Sequence, residues 1–167
     1  MLILLENNRN YFKGIIKGEN VLKILIVRHG EPDYAKNTLT DKGFIDANEL
    51  SRKLGKINID GIYSSPLNRA MYTAIPTAEL HNKEITVLDW LKEFQGVCHD
   101  ENTGKNVIPW NQKPQFWVNK KEFYDIHTWT NEAWMNEGTV REQYDYVTSE
   151  FDKLLQEYGY YRDKCKR

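Results

Sequence analysis

The stretch LKILIVRHGEPDY, residues 22–34, changes character at a single point. Five of its first six side chains are aliphatic, as suits a strand covered on both faces. Arg28, His29, Gly30 and Glu31 then follow in immediate succession. In parallel α/β sheets, ligands sit outside the carboxyl ends of the strands. A buried strand that ends in two cation-capable side chains, a glycine and a carboxylate therefore poses a functional question.

Working outward, NTLTDKGFIDANELSRKLG predicts a helix over residues 40–54. Thr40 can cap it, Phe44, Ala47, Leu50 and Leu54 form an apolar stripe, and Gly55 stops it. IDGIYSS reads as a second strand. PLNRAMYTAIPTAELH reads as a second helix, with Ala70, Ala74 and Ala78 at helical spacing and a kink expected at Pro76. EITVLDW reads as a third strand. Strand, helix, strand, helix, strand in this order argues for an α/β fold with a largely parallel sheet. About residues 96–138 form an aromatic, proline-bearing insertion of short elements, expected to lie over one face of the sheet. The last helix is expected over residues 139–158, with Thr139 and Glu142 as a capping box and Gly159 as its stop. Residues 1–21 lack clear periodicity and are expected to form a loose extension. Residues 22–167 are then a single domain, with residues 22–28 as a central strand.

With 167 residues the chain is long enough for a real core. A net charge of −1 gives no ground for a nucleic-acid or membrane-surface partner. Cys98 and Cys165 match no metal-ligand spacing and are too few for a disulfide framework, so a reducing, cytoplasmic setting is the expectation. The opening apolar run is too short for a signal segment.

The strand ends carry the chemistry. The first strand delivers Arg28, His29 and Gly30, the second Ser64, Ser65 and, one helical turn on, Arg69, and the third Glu93. Guanidinium groups match phosphate oxygens bidentately and stay charged. A neutral imidazole is a competent nucleophile near pH 7 and can accept a phosphoryl group. A carboxylic acid can protonate a departing alkoxide and then assist the attacking water. Gly30 permits close backbone approach beside the nucleophile.

RHGEPDY, LTDKG, YSSPLNRAMYTA and LKEF, in this order and spacing, resemble the histidine phosphatase (phosphoglycerate mutase-like) superfamily over about residues 22–95. The resemblance implies a three-layer sandwich, its largely parallel central sheet carrying helices on both faces. It makes His29 the phosphoryl acceptor, Glu93 the proton donor, and Arg28 and Arg69 the phosphate clamps, with Gly30 and Ser65 shaping the phosphate-binding rim. No cofactor and no metal is implied, and the substrate class is a phosphorylated small molecule.

The sequence also departs from that family. The family's phosphate pocket has a second histidine, on a later strand, and no segment here matches it. His81 precedes the third strand on the opposite rim, and His99 and His127 lie in the insertion. The expectation is a C-terminally truncated member that lacks the last strands. Its phosphomonoester hydrolysis should be impaired by roughly 3–4 kcal/mol of lost transition-state stabilisation, and its unpaired sheet edge should be open to self-association. The alternatives are a non-catalytic phosphate-binding module and an inactive fragment. Trp110, Trp117, Trp129 and Trp134 are open to two readings, a substrate lid or simple packing of the insertion.

Overall fold

The computed structural model of the chain describes residues 2–8, 21–100 and 103–162. It divides into two compact units, Met1–Lys92 and Glu93–Arg167, each with its own core.

The first unit contains β1 (Leu2–Asn8), β2 (Val21–Val27), β3 (Pro32–Asp33), β4 (Thr38–Leu39), α1 (Asp41–Leu54), β5 (Gly61–Ser64), α2 (Asn68–His81) and β6 (Ile85–Val87). Four strands form one sheet in the order β2-β1-β5-β6, and β3 and β4 make a separate two-stranded ribbon. The α/β class read from the sequence is present, with a small, mixed sheet. β1 runs antiparallel to both β2 and β5, while β5 and β6 are parallel. It follows that β2, β5 and β6 point the same way and end at one edge.

Two expectations need correction. The segment expected to be a loose extension supplies β1 from its residues 2–8, and its residues 9–20 lie outside the described residues. The strand read as central, β2, stands at the end of the sheet order, with β1 between it and β5. The physical reason is pairing on both sides. Leu2–Asn8 aligns with all seven residues of β2, and four of its residues align with β5. Ile3 and Leu5 are 1% and 0% exposed, so this run is core.

α1 and α2 pack over the face of the sheet that carries Leu25, Val27, Ile62 and Ile85, with Leu54, Ile59, Ala74 and Ala78 filling the space between. Residue alternation along β2 turns Ile24 and Ile26 to the opposite face, where both are exposed. The helix ends follow the sequence. The Thr40 hydroxyl accepts the Gly43 N–H at 3.1 Å, and Gly55 follows the last turn of α1. α2 runs through Pro76, whose carbonyl accepts the Ser51 hydroxyl of α1 at 2.8 Å.

The second unit contains β7 (Cys98–Asp100), β8 (Lys105–Val107), α3 (Pro114–Val118), α4 (Ala133–Asn136) and α5 (Val140–Glu157), with short 3-10 turns between them. Cys98, Met135 and Val140 form its core, against which Phe94, Val107, Trp117, Phe123 and Trp129 pack. Trp117 and Trp129 thus serve as packing, while Trp110 is half exposed. The expected capping box does not form. The Thr139 hydroxyl instead accepts the Val97 N–H at 3.1 Å, and the Thr139 N–H donates to the Val97 carbonyl at 2.8 Å. These two bonds tie the start of α5 to the entry of the hairpin. At the other end, Gly159 adopts φ +84°, and the N–H groups of Gly159 and Tyr160 close on the Gln156 and Leu155 carbonyls. That is a Schellman termination, as the sequence predicts for this glycine.

Candidate active site

Arg28, His29 and Gly30 follow directly on β2, and Ser65 and Arg69 follow on β5, so all five lie at the carboxyl edge of the sheet. Because β1 intervenes, the two strand ends are two strand spacings apart, roughly 10 Å. A turn and a helix close that gap. The Gly30 N–H donates to the Thr73 hydroxyl at 2.9 Å, which brings the turn after β2 against α2 one helical turn beyond Arg69.

The imidazole of His29 is partly buried, and its Nδ1 lies 2.7 Å from the Gly30 carbonyl oxygen. A carbonyl can only accept, so the proton of the neutral ring sits on Nδ1. Nε2 then carries the lone pair, as a nucleophilic or basic nitrogen requires.

The turn itself is held against α1. A Cβ built on Gly30 would lie 2.8 Å from the Gly43 carbonyl oxygen, and one on Gly43 would lie 2.4 Å from that of Glu31. Both positions need glycine because two backbones touch there. Glu31 works within the loop. Its carbonyl accepts the Thr40 N–H at 3.0 Å, and its carboxylate accepts the Thr40 hydroxyl at 3.2 Å. Lys42 stands 3.8 Å from the same carboxylate; its ammonium is held above its ordinary range chiefly by a hydrogen bond and the charge of Asp46, with a smaller contribution from Glu31.

Arg69 is the second residue of α2, partly buried, with its guanidinium 5.4 Å from the centre of the exposed Tyr34 ring. That is cation–π range. Ser65 is fully buried; its carbonyl accepts the Ser64 hydroxyl at 3.0 Å, and among the described residues its own hydroxyl has no hydrogen-bond partner. Arg28 is exposed. Glu93 is the first residue of the second unit and is exposed. His81 ends α2, at the edge from which β6 starts, with its Nε2 buried. His99 lies on β7 and His127 is exposed in a turn. Among the described residues, no group of three or more His, Cys, Asp or Glu could hold a metal ion. None of their helices is long and apolar enough to cross a membrane.

Two contributors were not singled out from the sequence. Gly43 could have been found because a glycine inside a helix costs stability and needs a reason. Thr73 had a subtler signal, a hydroxyl four residues after Arg69 on the same helix face.

Fold and residue placement together give an α/β protein whose parallel strands end at one edge in Arg28 and His29 and, at the start of α2, Arg69. The chain belongs to the histidine phosphatase superfamily (branch 1), whose match spans residues 24–158. Among characterised proteins, it is 32% identical over 83 residues to phosphoserine phosphatase 1 of Hydrogenobacter thermophilus, covering 44% of this chain and 39% of that one. It is 35% identical over 71 residues to a 2,3-bisphosphoglycerate-dependent phosphoglycerate mutase of Thermoplasma acidophilum, covering 36% of each. A longer alignment, 147 residues at 26% identity, relates it to 2,3-bisphosphoglycerate-dependent phosphoglycerate mutase 2 of Arabidopsis thaliana, covering 68% of this chain and 43% of that one. The alignments thus take in about two-fifths of each relative's length.

Proposed function

We propose that this chain is a phosphomonoesterase-type protein that transfers a phosphoryl group through His29, in a cytoplasmic setting and without a metal. The observation that carries the reading is the 2.7 Å contact between His29 Nδ1 and the Gly30 carbonyl, because it leaves Nε2 as the attacking nitrogen. In the first step Nε2 forms a bond to phosphorus while the ester P–O bond breaks, and the departing alkoxide takes a proton from the Glu93 carboxyl. In the second step Glu93 takes a proton from water, whose oxygen attacks the phosphohistidine. The P–N bond breaks, and inorganic phosphate leaves. Arg28 and Arg69 neutralise the phosphoryl oxygens in both steps, with Gly30 and Ser65 shaping the rim. The relatives named for phosphoserine and phosphoglycerate support a phosphorylated small molecule as substrate.

Family resemblance also implies a second pocket histidine, which no segment of this sequence matches. Turnover by the 167-residue chain is therefore expected at least about 100-fold below that of a family member that has it. Binding of a phosphate analogue, which rests on the arginines, should survive better than catalysis. The test is hydrolysis of p-nitrophenyl phosphate in EDTA by the purified chain and its His29→Ala and Glu93→Gln variants. Activity that is slow, resistant to EDTA and abolished by His29→Ala supports the reading. Activity that EDTA removes, or that survives His29→Ala, refutes it.

A further inference from the structure

We infer that Thr73 is a positioning residue of this site: its hydroxyl fixes the backbone beside His29 to the helical turn that carries Arg69. The inference rests on the phosphoryl-transfer reading above and names how that site is held together.

Three hydrogen bonds run in sequence. His29 Nδ1–H donates to the Gly30 carbonyl at 2.7 Å, the Gly30 N–H donates to Thr73 Oγ1 at 2.9 Å, and Thr73 Oγ1 donates to the Arg69 carbonyl at 2.7 Å. A threonine hydroxyl has one proton and two lone pairs. Spending the proton on the Arg69 carbonyl fixes the hydroxyl rotor and leaves a lone pair for the Gly30 N–H. The last two bonds share the Thr73 hydroxyl, so donation to the Arg69 carbonyl makes its oxygen a better acceptor for the Gly30 N–H. Thr73 is 2% exposed, so water cannot readily stand in for the hydroxyl.

A bond from a helical threonine to the carbonyl four residues earlier is common and says little by itself. The informative bond is the one from Gly30, 43 positions away in sequence. Among the described residues, β1 keeps β2 and β5 from pairing directly. The ladder through β1 holds the two strand ends apart, and contacts such as this one fix the histidine turn against the arginine helix across that gap. Two groups that grip one phosphate tolerate little error in that separation.

The experiment compares wild type with Thr73→Val and Thr73→Ser in the full chain, using orthovanadate in EDTA as the probe. Valine keeps the shape and removes the hydroxyl, leaving the Gly30 N–H without its acceptor. Vanadate affinity should fall on the order of tenfold in Thr73→Val and stay within about threefold of wild type in Thr73→Ser. The ¹⁵N signals of the His29 ring should show a single Nδ1–H tautomer in wild type and in Thr73→Ser, and a mixture in Thr73→Val. A merely structural role would not move that signature. Wild-type affinity and tautomer in Thr73→Val would overturn the inference. Arg69→Ala separates this from failure of the underlying reading. Loss of vanadate in Arg69→Ala alone removes only the Thr73 role, whereas unchanged binding in both variants removes the phosphate site and the Thr73 role with it. If Thr73→Val does not fold, amide exchange in wild type decides. Gly30 should be protected, and exchange at the free-peptide rate would overturn the bridge.

Discussion

Leu5→Ala is the most informative test of the sheet. Leu5 is fully buried in β1, and the register sets it opposite Ile24 on one side and Gly61 on the other. Gly61 has no side chain to lean into a vacancy. Removing three carbons there should therefore cost the transfer free energy and most of a cavity, together about 3 kcal/mol within the usual range of 2–5 kcal/mol for such truncations. For a protein of this size that corresponds to a fall of roughly 6–12 °C in melting temperature. Ile26→Ala is the matched control, because Ile26 lies on the neighbouring strand but is 64% exposed. Its expected cost is under about 0.5 kcal/mol. Thermal and urea unfolding of both variants, followed by far-UV circular dichroism, reads the difference. Equal, small effects from the two substitutions would show that β1 is not a member of the sheet and that residues before β2 contribute nothing to the fold.

The remaining expectations are shorter. Gly43→Ala should place its Cβ against the Glu31 carbonyl, 2.4 Å away before relaxation, and push the histidine turn out of place. A loss of about 1–3 kcal/mol and weaker vanadate binding are expected, and wild-type values in calorimetry would contradict the close approach. Burial pushes the Cys98 thiol up to about 11 from its ordinary 9.0. Because the folded state holds the proton longer than the unfolded state, Cys98 stabilises the fold below pH 9 and that contribution is lost as pH rises towards 11. The loss is on the order of 2–3 kcal/mol, so in a Cys165→Ser background Cys98→Ala should show a flatter fall in stability over that window. An unchanged slope would place the thiol in a more open setting. His99→Ala and His127→Ala should leave p-nitrophenyl phosphate hydrolysis as it is. A collapse in either would mean that the second unit supplies the missing pocket group.

The helices, β5 and β6 were legible in the sequence because each is written in local terms. α1 has a threonine cap, a periodic apolar stripe and a stopping glycine, and α2 has alanines at one-turn spacing that become a buried stripe. The strand end at Arg28 and His29 was legible for the same reason, an apolar run that stops abruptly at charge. The place of β2 in the sheet was not legible, since strand order is set by partners distant in sequence. LILLENN gives four apolar residues and then polar ones, a pattern that local reading cannot assign to a strand paired on both sides. Thr139 shows the same limit at smaller scale: its sequence fits a capping box, but its hydroxyl is taken by Val97, 42 residues earlier. Of the site, the types of residue were legible and their coupling was not. A glycine inside α1 and a hydroxyl one turn after Arg69 mark Gly43 and Thr73 as residues, but no local pattern names Gly30 as the partner of either.

Direct detection of phosphohistidine decides whether His29 Nε2 accepts the phosphoryl group. The chain is incubated with p-nitrophenyl phosphate in EDTA, quenched in alkali, where phosphohistidine persists, and digested for mass spectrometry. One acid-labile phosphoryl group is expected on the peptide that carries His29, at Nε2, and none in His29→Ala. A phosphoryl group on any other residue, or release of p-nitrophenol that continues undiminished in His29→Ala, would contradict it.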